Sequence, residues 1–142
     1  MRMQKLIGLE RLKRKLSRVP EAVKQRAQAD LMAAGREINV LQRSLAPQDD
    51  GTLRGSIRTE ALTDGTIGAA VAAGGAATTR PVRRSEKGNA PEYDYALAQE
   101  LGTEEMEPNP FFYPAIKVKR KEVRRRVRAG VRRALKKAVS GQ

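Results

Sequence analysis

The sequence predicts an α+β fold with a small antiparallel sheet, and three observations carry that prediction. Apolar residues recur at three- and four-residue steps through an N-terminal region, 4–46. The period then shifts to two over 53–72, and it returns to helical spacing within 110–139. The chain has 142 residues, a size suited to one domain, and 1–142 is read as one unit.

The first helix is expected over Gln4–Val19, where Leu6, Leu9, Leu12, Leu16 and Val19 share a face. Pro20 suits the first turn of a second helix. That second helix carries one continuous stripe: Val23, Ala27, Leu31, Ala34, Ile38, Leu41 and Leu45. Pro47 disfavours helix at Ala46 and ends it. Asp49-Asp50-Gly51 reads as a turn. Leu53, Gly55, Ile57, Thr59 and Ala61 then alternate with Arg54, Ser56, Arg58 and Glu60, as in a half-buried strand. Asp64-Gly65 is a hairpin turn signal, and Ile67, Ala69 and Val71 alternate after it, so 53–72 is expected to form a β-hairpin. Residues 73–92 are rich in Gly, Thr, Pro and charge and read as a long loop that orders against neighbours. Tyr93 to Thr103 suits either a strand or one or two helical turns. Pro108 to Pro114 reads as a rigid apolar connector. It leads into a final helix with Val123, Val127, Val131, Leu135 and Ala138 on one face.

Composition narrows the function. Cysteine is absent, which removes disulfides, thiol catalysis and thiolate metal sites. Histidine is absent too, and with it the usual general base and the commonest metal ligand. Carboxylates alone (Asp49, Asp50, Glu100, Glu104) show no ligand spacing. An enzyme is not expected, nor is any cofactor or metal. No apolar run approaches the roughly 20 residues that span a bilayer, and the basic N-terminus lacks the form of a secretory signal. Assembly in a cytoplasm is the expectation. The formal charge is +13. Lys117 to Lys137 holds twelve Lys/Arg against one acid, Glu122, and so carries +11 of it. The remaining seventeen Lys/Arg and fifteen acids leave the body near neutral, at +2.

Three segments resemble a known family. Ala46-Pro47-x-x-x-Gly51-x-Leu53-Arg54-x-Ser56-Ile57 resembles the hallmark of the small tail-completion or neck proteins of long-tailed bacteriophages and gene-transfer agents, similar to the minor tail protein Z of lambda-like phages. Tyr95-Ala96-x-x-x-Glu100-x-Gly102-Thr103 resembles its second motif, and Pro110-Phe111-x-x-Pro114-Ala115 its third. The likeness covers roughly residues 4 to 138. The basic, Gly/Ala-rich stretch between Ala72 and Pro91 and the arginine density of the last helix depart from the pattern. The resemblance implies a structural virion component of the head–tail neck, a homo-oligomeric ring with six or twelve copies. Its partners would be a head-side connector or stopper and a tail terminator or tail-tube protein, with no membrane involved. A tail terminator is the neighbouring reading.

Within that frame, residues take expected roles beside plainer ones. In the first motif Pro47 stops a helix, Gly51 supplies a turn, and Leu53 and Ile57 enter the core. Arg54 and Ser56, on the other strand face, are candidates for contacts between subunits. Gly102 closes a short helix, with Thr103 capping the next turn. Alternatively Glu100 forms an ion pair with an arginine such as Arg54, within or between subunits, and Glu100 and Thr103 are candidates for a subunit or neck interface. Phe111, Phe112 and Tyr113 are consecutive and cannot all point one way, so one is left to anchor a partner. For the basic helix three readings stand. It is a solvated face, it docks on an acidic protein surface such as Glu104–Glu107 of a neighbour, or it contacts DNA. The residues concerned are Lys119, Arg120, Arg124, Arg125, Arg128, Arg132 and Arg133. A free-standing basic, non-specific DNA-binding protein is the rival from a different class.

Overall fold

The computed structural model describes residues 18–49 and 51–141. Up to residue 17, the helix expected over Gln4–Val19 lies outside them, as does Asp50 of the expected turn. The first described helix, α1 (Glu21–Leu45), starts after Pro20, whose carbonyl accepts from Val23 and Lys24. It stops where Ala46 turns extended ahead of Pro47. Val23, Ala34 and Ile38 of the apolar stripe are buried, and Leu45 at its end is exposed. A second buried stripe, Gly35, Asn39 and Gln42, runs beside the first.

The hairpin starts later than the alternation suggests. Residues Thr52–Ser56 form a short helix, α2, and not the first half of a strand. Leu53 and Ile57 are both buried. A separation of four places them together on a helix as well as on one face of a strand, so periodicity cannot choose. Local chemistry decides. Gly51 adopts a left-handed backbone at φ 83°, which turns the chain into the helix. The Ser56 hydroxyl then donates to the Leu53 carbonyl at 2.7 Å. Strand β1 (Arg58–Ala61) follows and pairs antiparallel with β2 (Ala69–Ala72), in the register Thr59↔Val71. Asp64 closes the turn by accepting from the Thr66 amide, and Gly65 takes positive φ, as the sequence signals.

The expected long loop is partly ordered. A single 3-10 turn (Ala76–Thr78) leads into β3 (Thr79–Pro81), which pairs antiparallel with β4 (Glu92–Asp94). Residues 73–75 and 82–91 remain irregular. Three-residue strands of polar and proline residues have no period to read, which is why composition alone suggested a loop. Tyr93 to Thr103 uses both expected conformations, since β4 runs directly into helix α3 (Tyr95–Leu101). Helix α4 (Phe112–Val139) closes the chain. Its 28 residues make a rod about 42 Å long.

Helices α1 and α4 pack antiparallel along much of their length. Gln42 meets the Phe112 carbonyl, Glu37 meets Lys119 and Arg126, and Asp30 meets Gly130. Gly130 is buried against α1, and the Asp30 carboxylate fills the space a Cβ there would take. The valine stripe is half-buried at Val123, Val127 and Val131, and Val127 lies against α1 near Asp30 and Ala33. Leu135 and Ala138 are exposed, although Ala138 still lines the groove beside Ala22 and Val23. The buried residues of α4 are Ala115 and Gly130. The compact core lies at the other end of the rod, where Ala46, Leu53, Ile57, Ala96 and Phe111 cluster.

Candidate assembly site and cationic face

The three family-like segments meet at that cluster. Ala46, Leu53 and Ile57 come from the first, Ala96 from the second, and Phe111 from the third. Hydrogen bonds then tie the segments at their ends. Arg54 donates from Nε and Nη2 to the Ala46 carbonyl at 3.1 and 2.8 Å. In return Arg43 donates to the carbonyls of Arg54 and Ile57. Each guanidinium thus satisfies a carbonyl at a helix C-terminus, where positive charge is favoured. Ser56 Oγ accepts from the Gly74 amide at 2.9 Å. Arg54 and Ser56, expected at a subunit interface, are therefore engaged inside the chain.

Glu100 also has a role other than the one expected. Its carboxylate accepts from the backbone amides of Phe111 and Phe112 at 2.8 Å and of Tyr113 at 2.9 Å. It caps the N-terminus of α4 and does not pair with Arg54 within the chain. The residue is buried on α3. A negative charge there offsets both the orphan amides and the positive end of the helix dipole. Gly102 ends α3 with φ 78°, its amide bonded to the Ala98 carbonyl at 2.7 Å. Thr103 Oγ1 accepts from the Glu105 and Met106 amides, so the plainer reading of both residues holds.

Asp94 is a second hub. Its carboxylate accepts from Thr78 Oγ1 at 2.6 Å, from the Ala96 amide at 2.9 Å and from the Gly75 amide at 3.0 Å. Burial pushes this carboxyl up, but those three bonds together outweigh it and hold it below the usual value.

The aromatic run divides as its spacing requires. Phe111 is fully buried, Phe112 is half-buried, and Tyr113 is 57% exposed. Tyr113 and Leu97 line one shallow depression, with Glu100 in its wall. Leu97 and Leu101, one turn apart on α3, are 60% and 63% exposed. Leu97, Leu101 and Tyr113 thus form an apolar surface directly over the junction. The two leucines carry no distinguishing signal in the sequence, because a leucine on a short helix ordinarily faces inward.

The cationic helix divides into two faces. Lys119 and Arg126 turn towards α1 and both bind Glu37; Lys119 also meets Glu122 at 3.6 Å. Hydrogen bonds from Arg126 and then Lys119 hold the Glu37 carboxyl below its usual value, and Glu37 raises both bases in turn. Arg133 lies along the α1 groove near Arg26 and Val23. On the opposite face Lys117, Arg120, Lys121, Arg124, Arg125, Arg128 and Arg132 line one shallow surface, interrupted only by Ala129. Apart from Glu122, α4 contains no acid, and no described ion pair involves the seven cations of this face. Among the described residues no cluster of acidic side chains suited to a metal ion occurs, and no helix is long and apolar enough to cross a membrane.

No protein-family model, curated protein or solved structure matches the chain.

Proposed function

We propose that the protein is a structural joining piece of the head–tail neck of a long-tailed phage or related particle, acting as a ring of six or twelve copies. The observation that supports this reading best is the convergence of the three family-like segments on one cluster. Segments that recur together in a family are expected to meet in its fold, and here they meet at Ala46, Leu53, Ile57, Ala96 and Phe111. The ring would form by heterologous contacts, one patch of each copy against a different patch of the next. Leu97, Leu101 and Tyr113 supply the apolar half of such a contact. A head-side connector and a tail terminator or tail tube would cover the remaining faces. Catalysis has no part in this role.

Light scattering of the purified protein, alone and with tail components, tests the proposal. A discrete ring, or a monomer that becomes a ring on adding its partners, is the expected result. Leu97→Glu with Leu101→Glu should then abolish the ring while circular dichroism stays unchanged, since both side chains are already exposed. A chain that remains monomeric with every tail component overturns the reading.

A further inference from the structure

We infer that the outer face of α4 binds the phosphate backbone of double-stranded DNA without regard to sequence. Lys117, Arg120, Arg124, Arg128 and Arg132 fall along one side of the helix, flanked by Lys121 and Arg125. From residue 117 to 132 the row is about 24 Å long. Beside a B-form duplex, which carries one charge per roughly 1.7 Å of axis, such a row faces many phosphates at once. The opposite side of α4 is held against α1 by Glu37 and at the buried Gly130, so the row is presented on a braced rod.

The composition of the face favours this occupant over four others. A protein surface would need apolar or aromatic anchors at the centre of the contact, where charge is depleted; Ala129 is the one apolar residue lining this face. A membrane surface would need bulky apolar groups to insert beside the basic ones. A single strand would be held by aromatic stacking, and the aromatic residues of α4, Phe112 and Tyr113, lie in its first turn, away from the row. A second copy of this chain offers its short acidic patch, Glu104, Glu105 and Glu107, three acids against the seven cations of the face. Five of the seven cations are arginine, whose fork pairs with phosphate oxygens in two bonds at once. Neither Asn nor Gln occurs in α4 to read an adenine edge, and contact with the phosphate backbone needs only the Lys and Arg present.

The inference needs no ring and stands whether or not the neck reading does. The test is fluorescence anisotropy of the full-length protein on two labelled duplexes of unrelated sequence, over a salt series. Both duplexes should bind equally, with affinity falling steeply as salt rises. The triple variant R120Q/R124Q/R128Q removes three cations of the row. It should weaken binding by about tenfold or more and flatten the log–log salt slope by up to about 2.7, from 0.9 per phosphate contact. R120K/R124K/R128K should keep the slope. R36Q/R83Q/R84Q removes the same charge from exposed positions off the row and should weaken binding by less than about threefold. Equal losses from the two glutamine triples would overturn the inference, as would a shallow salt slope, or tighter binding to poly-glutamate or anionic vesicles than to duplex. Circular dichroism keeps the comparison sound, because Gln is as good a helix former as Arg.

Discussion

The two ends of α4 are built on opposite principles. Its first turn sits in the densest part of the molecule, with Phe111 and Ala115 fully buried and three amides held by Glu100. From Lys117 onward the same helix is a charged rod, buried at Gly130 and braced at Glu37. One end is specified by packing and by satisfied polar groups. The other is specified by charge, with a small packing requirement. The contrast teaches that stability and surface chemistry lie in separate stretches of one element, so a substitution in one should leave the other nearly untouched.

The strongest way to break the contrast is at the anchored end. Phe111→Ala empties the centre of the cluster and should cost about 3–5 kcal/mol in urea unfolding. Glu100→Ala leaves the amides of Phe111, Phe112 and Tyr113 without their partner and should cost about 2–3 kcal/mol, with Glu100→Gln intermediate. If Glu100→Ala proves neutral, the cap is not what anchors α4. Gly35→Ala forces a Cβ to 2.5 Å from Thr59 Cγ2. Overpacking of about 1–3 kcal/mol is opposed by a helix-propensity gain of up to about 1 kcal/mol, so a modest net loss is expected.

At the braced end the effects should be smaller and conditional. Glu37 has a depressed folded-state value, so its contribution is complete above the unfolded value near ~4.3 and is lost as pH falls through the lower folded value. Asp94 titrates with the same sign. Thermal unfolding from neutral to acidic pH should therefore show a decline that is shallower in Glu37→Gln; an unchanged acid limb would mean that the brace contributes nothing. The smallest effect is expected on the outer face. Arg124→Gln should move stability by less than about 0.5 kcal/mol, whatever it does to binding.

How much of this was legible in the sequence differs by element. Helix α1 was, because seven apolar residues at helical steps admit no other period. The hairpin was legible in position but not in its start, because Leu53 and Ile57 satisfy two periods and the choice fell to Gly51 and Ser56. Strands β3 and β4 left no pattern, being three residues each. At the candidate site the motif residues were visible, but their partners were not. Glu100 reaches amides eleven to thirteen positions away, a contact no local rule supplies. The buried polar stripe of α1 was missed although its signal was present. Gln28, Gly35, Asn39 and Gln42 recur at steps of seven, four and three beside the apolar stripe, a spacing that puts them on one face.

That polar stripe has a consequence of its own. Gln28 donates to the Gly68 carbonyl and accepts from the Gly68 amide, both at 3.0 Å. Its side chain thereby presents to the hairpin the donor and acceptor that a neighbouring backbone would present. Asn39 accepts from Thr59 further along, so the hairpin is stitched to α1 at both ends of β1 and β2. Gly68, though outside either strand, then holds an amide proton protected by its bond to Gln28 of the facing helix. In a deuterium-exchange experiment that single glycine would serve as a reporter, timing the separation of the two layers from a position that would otherwise exchange as freely as the rest of its loop.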